Sequence, residues 1–129
     1  MQTKSQRPVF LDLRVLGPKM PLVAIMSILN RVTGALMFVT APFMVWLLGL
    51  SLAGSDGYQQ ALAVLDSFLA KLWLIALLWA VTHHMLAGIR FILIDVDLGV
   101  EKAQAQQSAL WVIAAGGAVA ALALIGVML

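Results

Sequence analysis

Residues 21–50 read PLVAIMSILNRVTGALMFVTAPFMVWLLGL, a run of 30 residues with almost no charge. Arg31 is its one charged side chain; the other residues are apolar, small or uncharged polar. A helix needs about 20 predominantly apolar residues to cross the hydrocarbon layer of a membrane. The stretch therefore predicts a membrane-spanning helix. Pro18 and Pro21 mark its beginning, because proline in the first turn of a helix forfeits no helical hydrogen bond.

The whole chain has the composition of a membrane protein. Of its 129 residues, 63% are hydrophobic and 11% are charged, and the mean hydropathy is +1.02. Residues 72–89 and 103–129 are also free of charge and long enough to span. The net charge of +2 is too small to indicate a nucleic-acid partner. The lack of cysteine excludes disulfides, thiol catalysis and iron–sulfur ligation by this sequence.

We predict an all-α fold, an integral membrane bundle of three transmembrane helices. Residues 1–20 form a polar amino-terminal segment that lacks the pattern of a signal peptide, so we expect it to be retained. Residues 21–129 form the anchor domain, with a short interfacial helix after the first span. The predicted spans are about 21–50, 65–94 and 103–127.

The distribution of charge predicts the orientation in the membrane. Basic residues favour the cytoplasmic side. The first loop, residues 51–66, has Asp56 and Asp66 but no lysine or arginine. The cations of the amino-terminal segment and around the second loop are Lys4, Arg7, Arg14, Lys19, Arg90 and Lys102. We therefore expect the amino terminus and the second loop in the cytoplasm, and the first loop and the carboxyl terminus outside.

Arg31 is the first candidate functional residue. A charge near the centre of a span costs on the order of 2.5 kcal/mol, so it usually faces protein, water or an anion. Arg31 lies roughly 15 Å along the helix, which also allows it to extend to the inner interface. Ser27, Arg31 and Gly34 share one helical face and would form a polar notch able to bind a carbonyl oxygen or a carboxylate. Both interpretations remain open on this evidence.

Two histidines, His83 and His84, occur in the middle of the second span. A buried imidazole needs a metal, a hydrogen-bonding neighbour or a proton path. Adjacent helical residues point about 100° apart, so the two rings cannot face one ligand. We assign His84 to a face with the small residues Ala80, Ala87 and Gly88, where a flat macrocycle could approach. Geometry thus favours His84 as a haem ligand and His83 as a packing or hydrogen-bonding residue.

Arg90 lies roughly 9 Å from His84 along the same helix, towards the cytoplasmic end. Arg31 is expected near that end too, so both cations could meet haem propionates. A bis-histidine haem held by His84 would need a second ligand, and no other helix of this sequence has a histidine. A different subunit would have to supply it.

Asp95 and Asp97 are expected to be solvated; the alternatives are an ion pair of Asp95 with Arg31 or Arg90, or proton delivery.

Three motifs carry a family resemblance: RPVFLDL at residues 7–13, SILNRVTG at 27–34 and HMLAGIRFILID at 84–95. Together they resemble the cytochrome b membrane-anchor subunit of succinate dehydrogenase, respiratory complex II. The resemblance covers nearly the whole chain, including the order of the three spans. It implies a multi-pass protein of the bacterial inner membrane.

The resemblance implies a set of partners and cofactors. A flavoprotein subunit oxidises succinate, an iron–sulfur subunit carries the electrons, and two small anchors share haem b and reduce ubiquinone, surrounded by membrane lipid. The chain would be a non-catalytic subunit of a succinate:quinone oxidoreductase. A trimer of heterotetramers is one expected form of the assembly. The alternatives are a haem-free structural anchor and an anchor of a fumarate reductase-type complex.

The resemblance also implies residue roles. His84 matches the axial haem ligand, Ser27 and Arg31 match positions at the quinone, and Arg31 also matches a position at the haem propionates. We place Asn30 and Arg90 in the same haem neighbourhood. Relatives often have histidine where this sequence has Asn30, and again after Arg90, where it has Phe91. Neither substitute takes up a proton near neutral pH, so we expect the protons for the quinone to come from water and the partner subunit.

Overall fold

A computed structural model of the chain describes residues 13–128. Lys4, Arg7 and most of the RPVFLDL motif lie outside the described residues. The structure is all-helical, as predicted. The elements in chain order are α1 (Leu13–Leu16), a 3-10 turn (Gly17–Lys19), α2 (Leu22–Ser51), α3 (Ser55–Asp66), α4 (Phe68–Asp95) and α5 (Lys102–Met128).

Three of these helices, α2, α4 and α5, are long and apolar enough to cross a membrane. The predicted three-span architecture is therefore confirmed, whereas the orientation of the amino terminus stays a prediction. Pro21 has an extended ψ of 150° and caps α2, and its carbonyl accepts from the amides of Ala24 and Ile25. The helix then continues through Pro42 to Ser51 without interruption.

The second span begins three residues later than the sequence predicted. Ser67 has an extended ψ of 143°, which separates α3 from α4. Its hydroxyl accepts a hydrogen bond from the Ala70 amide at 3.3 Å, so it caps the new helix. Residues 65 and 66 therefore belong to the short helix α3, which packs against the end of α2.

The helix α4 packs against both other spans and forms the centre of the bundle. Its buried side chains form one stripe: Ala80, His83, Ala87 and Arg90. Around Ala87 the interior is apolar, with Met26 from α2 and Ala109 and Val112 from α5. This cluster lies at the end of the bundle where α2 and α5 begin and α4 ends. Most large apolar side chains of the spans point outward, as expected for helices surrounded by lipid or by other subunits.

Candidate functional site

The imidazole of His84 is held by the backbone of α2. Its Nδ1 lies 3.0 Å from the carbonyl oxygen of Asn30. A carbonyl oxygen only accepts hydrogen bonds, so Nδ1 must carry the proton. In the neutral ring, Nε2 then keeps its lone pair. Among the described residues Nε2 has no hydrogen-bond partner, and it is not one of the fully buried polar atoms. The ring is therefore oriented so that Nε2 faces away from its hydrogen bond with Asn30 and stays accessible among the described residues.

Gly34 makes room for this ring. A Cβ atom built on Gly34 would lie 3.0 Å from Cε1 and 3.4 Å from Nδ1 of His84. Such contacts are tighter than real Cβ atoms normally make, so a side chain here would press on the imidazole. Gly34 belongs to the polar notch expected beside Ser27 and Arg31, but in the structure the space beside it holds the His84 ring. The glycine thus lets α2 and α4 approach closely where the histidine bonds to Asn30.

Thr33 completes the surroundings of the His84 Nδ1 atom. Its side chain is fully buried. The hydroxyl lies 2.9 Å from the Leu29 carbonyl, 3.0 Å from the Asn30 carbonyl and 3.4 Å from His84 Nδ1. Sequence reasoning missed this residue. The available signal was its position in the SILNRVTG motif, one turn after Leu29 and between Asn30 and Gly34.

His83 has a different environment from its neighbour. It is fully buried, its ring lies 5.8 Å from that of Trp79, and its Cβ is 3.4 Å from the Cβ position of Gly116. Neither ring nitrogen has a hydrogen-bond partner among the described residues. His83 therefore packs, as predicted. The small residues Ala80 and Ala87 are fully buried on its side, so the prediction that they line the open side of His84 is wrong.

Arg90 is buried, with 5% of its surface exposed. Its Nε donates to the Ser108 hydroxyl and its Nη2 to the Ala105 carbonyl, both at 2.9 Å. The third group, Nη1, is buried without a partner in the described part of the chain. Both acceptors lie on α5. By contrast, Asn30, the hydrogen-bond partner of His84, lies on α2. Ser108 was also missed by sequence reasoning, because a lone serine in an apolar span carries no distinctive pattern.

The two residues predicted at a quinone lie on α2, within two turns of Asn30. Arg31 is exposed and Ser27 is partly buried. Within residues 13–128, Arg31 takes part in no hydrogen bond or ion pair. The Oδ1 atom of Asn30 is buried and unpartnered. The structure therefore brings Asn30 and His84 together through the backbone, and leaves the Ser27–Arg31 side of the helix free of contacts that hold the arginine.

The carboxylates take little part in this region. Within residues 13–128 the single ion pair is Lys71 with Asp66, at 2.7 Å. The hydrogen bond and charge of Lys71 hold the pKa of Asp66 below its usual value. Asp95 and Asp97 are exposed, in keeping with the solvated role predicted for them.

Two further observations on residues 13–128 concern an apolar groove and the ligands for a metal ion. An apolar groove of about 430 Å³ includes Val39, Phe43 and Trp73, and none of the predicted site residues lines it. No group of three or more histidine and acidic side chains in residues 13–128 could hold a metal ion. A single oriented imidazole suits instead a prosthetic group that brings its own metal ligands.

These features define a class: a multi-pass helical membrane protein with one imidazole fixed between two spans and open at Nε2. The chain belongs to the family described as succinate dehydrogenase/fumarate reductase transmembrane subunit, which matches residues 3–124. The resemblance inferred from the sequence is thus confirmed, and the chain is a membrane subunit of this type of complex.

Two relatives support the same assignment. The chain is 32% identical over 122 residues to the succinate dehydrogenase cytochrome b556 subunit of Paracoccus denitrificans, covering 95% of this chain and 92% of the relative. It is 33% identical over 93 residues to the succinate dehydrogenase cytochrome b556 subunit of Coxiella burnetii (strain RSA 493 / Nine Mile phase I). That match covers 71% of this chain and 73% of the relative.

Proposed function

We propose that this chain is a haem b-binding membrane anchor of succinate dehydrogenase that helps to form the site of quinone reduction. The observation that carries the proposal is the hydrogen bond from His84 Nδ1 to the Asn30 carbonyl. Histidines that bind metals usually donate their other ring nitrogen to a fixed acceptor, which selects the tautomer and the ring orientation. The relatives named as cytochrome b556 subunits support the same cofactor.

The residues present fit a haem. His84 would be the axial ligand through Nε2. Asn30, whose side-chain nitrogen can donate a hydrogen bond, and Arg31 are proposed to face the acidic edge of the group, and Arg90 to lie in its neighbourhood through Nη1. When bound, haem supplies a one-electron redox centre within the membrane. The cationic side chains of the anchor would offset the negative charge of its propionates.

The second axial ligand is proposed to come from another anchor subunit. His83 is fully buried against Trp79 and Gly116, so it is not positioned to bind the same group. The outward-facing apolar side chains of α2, α4 and α5 provide surface for such a partner. The proposed complex also contains an iron–sulfur subunit and a flavoprotein subunit, and lies in the bacterial inner membrane.

At the quinone, Ser27 is proposed to donate a hydrogen bond to one carbonyl oxygen. Arg31 would stabilise the negative charge that develops on that oxygen during reduction. Reduction of ubiquinone to ubiquinol takes two electrons, which succinate supplies through the other subunits, and two protons. Asn30 and Phe91 do not titrate near neutral pH, so we propose that water and the partner subunit deliver these protons. The exposed position of Arg31 supports this role, because its head group is free to meet a substrate.

The haem assignment is tested by optical spectroscopy of the purified complex. The wild-type complex should show a reduced-minus-oxidised b-type spectrum, and His84→Ala should diminish or remove it because the axial ligand is lost. The matched control is His83→Leu, which alters the neighbouring packing histidine and should keep the signal. Assembly is checked by copurification of all subunits. An unchanged spectrum in assembled His84→Ala would contradict the ligand assignment, and a wild-type complex without haem would favour the structural anchor.

The quinone assignment is tested by comparing two electron acceptors. Ser27→Ala and Arg31→Leu should lower succinate-driven quinone reduction by about 10-fold or more, since each loses a group that stabilises developing charge. Succinate oxidation with a water-soluble artificial acceptor should be retained. Val32→Ala, at the exposed position beside Arg31, is the control and should behave as wild type. Normal quinone kinetics in both variants would refute the site.

A further inference from the structure

The hydroxyl of Thr33 is placed to act on His84 without contacting any bound group itself. We propose that Thr33 is a positioning residue that raises the electron-donating strength of His84 and thereby lowers the reduction potential of the haem iron. The inference rests on the proposed function, because it needs His84 to be the axial ligand. It gives a role to a residue to which the sequence analysis assigned none.

The argument begins with the single proton of the Thr33 hydroxyl. Three groups surround its oxygen. Two are acceptors, the Leu29 carbonyl at 2.9 Å and the Asn30 carbonyl at 3.0 Å, and one is a donor, His84 Nδ1 at 3.4 Å. The Asn30 carbonyl already accepts the Nδ1 proton of His84 at 3.0 Å. Donation to Leu29 satisfies every group, because it leaves the Asn30 carbonyl free for the histidine. It is also the shorter of the two hydroxyl–carbonyl distances.

With its proton directed to Leu29, the Thr33 oxygen presents a lone pair towards Nδ1–H. The histidine proton is then shared between a principal acceptor, Asn30, and a weaker second acceptor, Thr33. Full burial of Thr33 removes water as a competitor and strengthens this interaction.

A stronger pull on the Nδ1 proton makes Nε2 a better electron donor. A better donor stabilises the oxidised iron relative to the reduced iron, and this lowers the potential. The Thr33 hydroxyl should therefore act through His84, at a distance from the metal. A purely structural threonine would influence stability and leave the potential unchanged.

The experiment compares Thr33→Val with Thr33→Ser in the complete complex by redox titration of the b-type spectrum. Valine keeps the shape of threonine and removes the hydroxyl, so it should raise the midpoint potential and shift the low-spin ferric electron paramagnetic resonance signal. Serine keeps the hydroxyl and should restore both values towards wild type. If the valine variant does not retain haem, Thr33→Ala provides the same loss of the hydroxyl.

Thr40 offers a matched control on the same helix. It is also buried, and its hydroxyl bonds only to the Leu36 carbonyl, at 2.8 Å. Thr40→Val should therefore leave the potential unchanged. An unchanged or lowered potential in Thr33→Val, or equal shifts in the valine and serine variants, would overturn the inference while His84 remained the ligand. A wild-type complex without a b-type signal would instead overturn the proposed function.

Discussion

At the scale of single residues, the backbone of one helix decides the chemistry of a side chain on another. His83 and His84 are neighbours in the chain, yet one is enclosed in packing and the other bonds to the Asn30 carbonyl. A carbonyl already bonded within its own helix can accept a second hydrogen bond, because it has two lone pairs. The absence of a side chain at Gly34 lets the imidazole reach that carbonyl.

Gly34→Ala tests this close approach. The added Cβ would lie 3.0 Å from His84 Cε1, so the ring must move by a few tenths of an ångström and its bond to Asn30 must weaken. We expect an altered b-type spectrum and a lower melting temperature of the complex. Gly49→Ala is the control, since its Cβ would meet nothing within 4 Å and alanine favours a helix by up to about 1 kcal/mol over glycine. Equal behaviour of the two variants would contradict the close packing.

At the scale of elements, α4 is joined to α5 by a buried guanidinium and a close contact at a glycine. Arg90 donates to Ser108 and Ala105 near the beginning of α5, and Gly116 lies against His83 and Trp79 further along. Water is scarce in the membrane, so a buried donor has few alternative partners. Each contact therefore fixes both the separation and the rotation of the two helices.

Ser108→Ala removes the acceptor of Arg90 Nε and leaves that group buried without a partner. Loss of one partner of a buried hydrogen bond costs about 1–3 kcal/mol. We expect a lower melting temperature and earlier dissociation in detergent, with the haem spectrum retained because Ser108 bonds to Arg90 and Ala105 and not to His84. Ser51→Ala is the control, as the Ser51 hydroxyl bonds only to the Leu48 carbonyl of its own helix. A melting curve unchanged from wild type would count against the Arg90 bond.

Gly116→Leu tests the second contact. The position of its Cβ lies 3.4 Å from atoms of both His83 and Trp79. An alanine would make ordinary contacts there, but the branched leucine must displace the indole or separate the helices. We expect poor assembly of the complex in membranes, measured by copurification of the subunits. Gly117→Leu adds the same volume where a Cβ meets nothing within 4 Å, and it should assemble normally. Normal assembly of Gly116→Leu together with poor assembly of Gly117→Leu would refute the contact.

At the scale of the whole molecule, the bundle buries little and exposes much apolar surface. Within residues 13–128, the buried core is small, and large side chains such as Phe38 and Leu69 remain more than three-quarters exposed. For a soluble protein such a surface would cause aggregation. In a multi-pass membrane subunit, such a surface suits contact with lipid or with other subunits.

The orientation of the bundle can be measured by cysteine labelling, since the sequence has no cysteine of its own. Ala53→Cys lies in the first loop and Val100→Cys in the second, and both positions are exposed. A membrane-impermeant maleimide added to right-side-out spheroplasts should label the Ala53→Cys variant. The Val100→Cys variant should be labelled only after the spheroplasts are lysed. The reason is that basic residues, which occur near the second loop and in the amino-terminal segment, favour the cytoplasmic side. The opposite pattern would invert the predicted topology.

The sequence alone determined the number, order and approximate limits of the spans. Apolar stretches of this length cross lipid as helices, because a helix satisfies all its backbone groups internally. The motifs around Arg31 and His84 also identified the family. One limit was misplaced at Ser67, because an extended residue within an apolar stretch leaves little trace in hydropathy.

Tertiary structure alone decided which side of each helix faces inward. In α4 the apolar residues are spread around the whole circumference, so no hydrophobic stripe predicts its rotation. Close fit at Gly34 and Gly116 sets that rotation. It directs Arg90 to α5 and places His84 beside the Asn30 carbonyl and the Thr33 hydroxyl. Sequence thus specified that the chain crosses the membrane, because burial in lipid depends on composition. Packing specified which groups its polar side chains contact. In an apolar environment there is little water to bond to, so the fit of the helices determines which donor reaches which acceptor.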